Sequence, residues 1–116
     1  MSLFLPVAKH TNPAGLGFIL PTAGSPLNVT SNFTDLTGVS FQSLMLAAPS
    51  SNSARVWVLS NSSAADKTNG TNVIAVLAPG QSVPFTALAV GGIIPSQFYI
   101  DVDTTGDYVV PAVFTA

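Results

Sequence analysis

The residues best spaced for chemistry lie near the C-terminus, in the run Asp101-Val-Asp103-Thr-Thr-Gly106-Asp107. A calcium loop opens this way, with oxygen ligands at alternate positions and a glycine that permits a sharp bend. Asp101 and Asp103 fall on the same face of an extended strand, so a cation would relieve the repulsion between them. The pattern departs from a calcium loop at its far end. Ala112 stands where a bidentate Glu is needed, and the preceding residues, Phe98 to Val102, read as a strand and not a helix. The simpler reading is a pair of solvent-facing aspartates beside an Asx-type turn closed by Gly106. The missing ligand favours the turn, and no cofactor is expected.

Little else points to catalysis. The single histidine, His10, sits among prolines with no neighbouring nucleophile or orienting carboxylate. No G-x-S-x-G elbow occurs, and Gly91-Gly92 lacks the Lys-Ser/Thr that would follow in a phosphate loop. Glu is absent, so a carboxylate pair for glycoside hydrolysis could come only from Asp101, Asp103 and Asp107. The chain is expected not to be an enzyme. Trp57, between Val56 and Val58, points to the opposite side of its strand from them. An exposed Trp there could stack on a sugar, whereas a buried one is core, the more frequent arrangement. Tyr99 and Tyr108 are expected to face each other across a final hairpin.

The elements that would position these residues are strands. Pro, Gly, Asn, Ser and Thr interrupt every stretch that could propagate a helix. Short β-branched and aromatic runs recur at Leu16 to Leu20, Leu27 to Phe33, Val39 to Leu46, Arg55 to Ser60, Asn72 to Leu77, Ser82 to Leu88, Gln97 to Val102 and Asp107 to Phe114. Turn residues separate them. Pro79-Gly80 suits the centre of a type II turn, and Asp103 to Asp107 suits a hairpin connection with Gly106 left-handed. The spacing predicts an all-β chain, an antiparallel β-sandwich or jelly roll, over residues 27–116. Residues 1–26, with four prolines, read either as an extended N-terminal arm or as an irregular edge strand. The arm reading is carried forward. The segments 49–54 and 61–70 read as polar loops.

Charge is the compositional anomaly. Only 7% of residues are charged, with three cations and five carboxylates for a net charge of -2, while 47% are hydrophobic. An ordinary soluble domain carries about 25% charged residues. Scattered cations argue against nucleic-acid binding, which needs clustered Lys and Arg. No apolar run reaches the ~20 residues of a membrane span, and the N-terminus lacks the basic start of a secretory signal. Four Asn-X-Ser/Thr triplets, at Asn28, Asn32, Asn61 and Asn69, are expected by chance in so Asn/Ser/Thr-rich a chain. There is no Cys, hence no disulfide and no thiolate metal site. From Ser82 to Pro95 there is no charge at all, an association hazard on a monomer. Closed cyclic self-association would bury such surface and protect sheet edges. The expected interface residues are Phe4, Leu5, Phe18 and Ile19 from the arm, and Phe85, Leu88, Val90, Ile93 and Ile94 from the uncharged stretch.

The strand Arg55-Val-Trp-Val-Leu-Ser-Asn61, the turn Leu77-Ala-Pro-Gly-Gln-Ser-Val-Pro-Phe85 and the ending Phe98-Tyr-Ile-Asp-Val102 with Thr105-Gly-Asp-Tyr-Val-Val110 together resemble the small β-rich virion proteins of tailed bacteriophages. Capsid decoration, or cement, proteins are the nearest in style. The resemblance covers the C-terminal half and rests on features common to many β proteins. It implies a non-enzymatic structural protein, a homo-oligomer with a trimer favoured, made in the bacterial host cytoplasm and bound to the major capsid protein on the virion surface, where it bridges capsid subunits. Two alternatives remain open: a carbohydrate- or ligand-binding β-sandwich module, and a tail or head–tail joining component.

Overall fold

A computed structural model describes residues 13–63, 69–87 and 91–115. Eight strands form in the order β1 (Pro13–Gly15), β2 (Leu27–Asn28), β3 (Ser43–Ala47), β4 (Val56–Leu59), β5 (Val73–Leu77), β6 (Ser82–Thr86), β7 (Tyr99–Val102) and β8 (Val110–Phe114). Among the described residues two single 3₁₀ turns, Thr34–Leu36 and Pro95–Gln97, are the helical elements. The strands make two four-stranded sheets, ordered β1-β8-β3-β6 and β2-β7-β4-β5, with every strand pairing antiparallel.

That order has a simple origin. β1 pairs with β8, β2 with β7, β3 with β6 and β4 with β5. The first half of the chain therefore runs out and the second half runs back beside it, as one long hairpin with its apex between β4 and β5. Folding that ribbon so that alternate pairs land in opposite sheets, then joining β8 to β3 and β7 to β4, gives the jelly roll. The class is all-β, as the turn spacing predicts.

The core lies between the sheets. β3 alternates, with Leu44 and Leu46 fully buried. β4 contributes Val56 and Val58, β7 Ile100 and Val102, and β8 Val113, all at zero exposure. Period-two alternation on a half-solvated sheet accounts for β3 and β8. β4, flanked on both sides by β7 and β5, is buried along its whole length. The Pro79-Gly80 turn forms as expected: Gln81 N–H donates to Ala78 O at 3.0 Å and Gly80 has φ +88°. It carries the chain from one sheet to the other.

The N-terminal segment divides. Residues 1–12 lie outside the described residues. Residues 13–26 are built into the sandwich: β1 pairs with β8, and Leu16 and Ile19 are fully buried in the core. Leu16 N–H donates to Pro111 O, and Ile19 exchanges backbone hydrogen bonds with Val109. The strand expected at Leu16 to Leu20 is thus one bridge, because Gly17 at φ +78° breaks the ladder. Leu27 to Phe33 shortens to two strand residues, because Asn28 Oδ1 accepts from Thr30 N–H and turns the chain.

The expected final hairpin does not form. β7 and β8 belong to different sheets, and residues 103–109 cross between them. The tyrosines consequently do not pair. The Tyr108 ring lies 5.0 Å from the Phe18 ring, and Tyr99 stands opposite Leu59 and Asn28.

Candidate functional site

The three aspartates are brought to one end of the molecule, but each is consumed by a different part of the fold. Asp101, 1% exposed, accepts from Gly24 N–H and from its own neighbour Val102 N–H, both at 2.8 Å. It ties the loop at 22–25 onto the outer face of the second sheet. Asp103 accepts from Trp57 Nε1–H at 3.0 Å and from Arg55 Nε–H at 3.1 Å. Asp107, 6% exposed, accepts from the backbone N–H groups of Ser53 and Ala54, each at 2.9 Å, and from the Ser53 hydroxyl. Charge-assisted bonds to backbone amides stabilise a carboxylate as effectively as a cation would. Among the described residues no three acidic or imidazole groups converge to hold a metal ion. The solvent-facing pair needs correction: Asp101 is buried, because it caps backbone donors, and Asp103 is half-buried against Trp57 and Arg55.

Trp57 combines features of both expectations. It faces away from Val56 and Val58 and makes no part of the central apolar cluster, yet it is only 5% exposed. The Arg55 guanidinium sits 5.1 Å from its ring centroid, and Arg55 is held there by Asp103. The ring face a sugar would need is therefore covered, and the indole N–H is satisfied.

The expected interface residues scatter. Phe18, at 59%, is the most exposed large apolar side chain among those described. Ile19, next to it, turns into the core. Phe85 is half-buried, with its ring 4.9 Å from the Phe98 ring. Ile93 is half-buried by its bridge to Phe41, and Ile94 is half-buried at the start of the 3₁₀ turn. Phe4, Leu5, Leu88 and Val90 lie outside the described residues, as does His10.

Sequence reasoning missed four exposed apolar residues: Leu20, Leu27, Ile74 and Val76. Ile74 and Val76 share the outer face of β5, an edge strand. The other three edges are blunted. β2 has two residues, β1 has three and begins with Pro13, and β6 carries Pro84 at its centre. β5, Val-Ile-Ala-Val-Leu, has neither charge nor proline; its guard among the described residues is a bulge at Ile74, where the register against β4 slips between Val58 and Leu59. The only early signal was the unbroken apolar run itself.

Sequence reasoning also missed an open groove of about 560 Å³ beside β5, lined by Ser60, Asn61, Ser62, Ile74, Ser96, Gln97, Phe98 and Tyr99. It lies where the β4–β5 apex meets the 3₁₀ turn at Pro95–Gln97, and none of these described lining residues is charged.

The fold defines the class to which the chain belongs, the eight-stranded jelly-roll sandwiches. No family model, curated protein or solved structure matches the chain.

Proposed function

We propose that this protein is a non-enzymatic structural component of a virion, a capsid decoration protein that bridges subunits of a phage head. One observation carries the reading: the fold takes up most of the carboxylates among the described residues. Of the five charged residues there (Asp35, Arg55, Asp101, Asp103 and Asp107), two carboxylates are buried and a third is bound to Trp57 and Arg55. Asp35 and Arg55 are the exposed charges among the described residues, and the rest of that surface is amide, hydroxyl and apolar. A free monomer ordinarily relies on surface charge for solubility. Here that role falls to burial against other copies and against a shell.

The β5 edge, without charge or proline and with Ile74 and Val76 exposed, offers surface for self-association. Cyclic assembly into a trimer closes such edges. Apolar Phe18 and Leu20 offer a second surface, for the major capsid protein. Individually weak contacts of this kind hold through avidity on a repeating lattice. A tail or head–tail joining component would use the same surfaces, and location within a particle distinguishes the two.

The test is cosedimentation of the purified chain with heads of the virus that encodes it. The reading expects saturable binding at a fixed ratio to the major capsid protein, and heads that resist heat better when decorated. A chain that stays in the supernatant at all concentrations refutes it.

A further inference from the structure

We infer that the groove between the β4–β5 apex and the 3₁₀ turn is a binding site for a neutral sugar. Its lining explains the chemistry. Asn61 uses its carbonyl oxygen to accept from Ser63 N–H, which fixes the side chain and leaves its amide N–H₂ without a partner among the described residues. The Gln97 amide, the Ser60 and Ser62 hydroxyls and the Tyr99 hydroxyl likewise make no hydrogen bond among the described residues. These groups supply donors and acceptors in close proximity, which is what a ring of vicinal hydroxyls pairs with. Tyr99 is half-buried beside exposed Ile74, and together they offer an aromatic and aliphatic floor for the C–H face of a pyranose.

The floor is also anchored. Tyr99 is paired on both sides, with Leu59 and Asn28. Ser96 is held through its carbonyl by Asn28 Nδ2–H at 2.7 Å, and its hydroxyl accepts from Gly38 N–H at 2.9 Å. The groove's floor, Ile74 and Tyr99, stands on paired strands and loses little order on binding, while Asn61 and Gln97 reach in from the adjoining loop and 3₁₀ turn. Its volume of about 560 Å³ falls in the range of small-ligand sites.

The lining also excludes other ligands. A sialylated or sulfated sugar, or a nucleotide, would bring an anion that no lining residue among those described neutralises. A purely apolar ligand would cover the amides and hydroxyls without pairing them. The occluded Trp57 face takes no part. Val76 and Phe18 lie outside the groove, but Ile74 belongs both to its floor and to the β5 edge assigned to self-association, so sugar binding and assembly are read separately, by amide shifts and by solution mass.

The experiment is an NMR titration of the full chain with neutral gluco-, galacto- and manno-trisaccharides, their monosaccharides, and sialylated and sulfated counterparts. Side-chain amide signals of Asn61 and Gln97 are the readout. At least one neutral series is expected to shift both amides saturably. Asn61→Ala and Gln97→Ala each weaken that binding by roughly five- to tenfold, the equivalent of one hydrogen bond. Tyr99→Phe retains most of the binding. Tyr99→Ala abolishes it, while Trp57 emission reports that the fold survives. Tighter binding of a trisaccharide than of its monosaccharide assigns the sugar to a polymer, and equal binding assigns it to a free sugar. The proposal is overturned if no neutral sugar shifts these amides at tens of millimolar. It is also overturned if anionic counterparts bind as well, or if both alanine variants at positions 61 and 97 bind unchanged. Loss of particle binding in those variants without any sugar binding would make the groove a capsid contact and overturn it too.

Discussion

Replacing Asp107 with alanine should cost the fold more than any other single surface-loop change. Its carboxylate receives two backbone N–H groups at 2.9 Å and the Ser53 hydroxyl, with 6% of the residue exposed. The adjoining Asn52 adds to the same joint, donating to Tyr108 O at 2.8 Å and accepting from Tyr108 N–H at 3.1 Å. Removing the carboxylate strands two amides in a partly buried site. Orphaning a buried donor costs about 1–3 kcal/mol, so Asp107→Ala should cost on the order of 3 kcal/mol after some water entry. At about 4 °C per kcal/mol for a domain near this size, Tm falls by ~12 °C. Asp107→Asn keeps one acceptor oxygen and should lose about half as much. Trp57 is the only tryptophan and is buried, so its emission during urea denaturation reports global unfolding. The same measurement with calcium or chelator separates the two accounts of the aspartates. Backbone capping predicts no shift in midpoint with either addition. If Asp107→Ala unfolds at the wild-type midpoint, or if calcium stabilises the wild type by several degrees and the variant not at all, the capping argument is refuted.

Other changes test other joints. Gly92 has φ +70°, and an added Cβ would stand 2.6 Å from Phe41 O, so Gly92→Ala should destabilise by about 2 kcal/mol or more, read by the same denaturation. Asp103→Ala frees Arg55 and orphans the Trp57 N–H, predicting a loss of about 1–2 kcal/mol and a red shift of Trp57 emission. Arg55→Ala should cost under ~1 kcal/mol, because the guanidinium is largely exposed, yet produce the red shift nonetheless. Val76→Lys places a charge on the β5 edge and should lower the solution mass toward one chain while leaving the circular-dichroism spectrum unchanged.

Most of the strands were legible because their signals are local. β3, β4, β5, β6, β7 and β8 fall inside the runs of β-branched and aromatic residues, and the Pro79-Gly80 turn follows from the conformations those two residues prefer. Strand order was not legible, because pairing β1 with β8 and β2 with β7 joins the two ends of the chain, and no local pattern encodes that. The region from Asp103 to Asp107 shows the difference. Its glycine and aspartates fit a hairpin locally, but their carboxylates find partners at Ser53, Ala54, Arg55 and Trp57, about fifty positions back in the chain. Those contacts pull the segment across from one sheet to the other. In the fold the acidic run caps backbone and side-chain donors of distant loops, a role that no local pattern encodes. The groove was invisible for a similar reason: Asn61, Gln97 and Tyr99 meet only after the apex of the ribbon packs beside the 3₁₀ turn.

The central claim is that a surface so poor in charge is covered by other copies of the chain. Light scattering of the purified protein over a hundredfold range of concentration tests it most directly. The account predicts three chain masses, independent of concentration, and a fall to one in Val76→Lys. A wild-type protein that stays at a single chain mass, clear and soluble across the whole range, would contradict it.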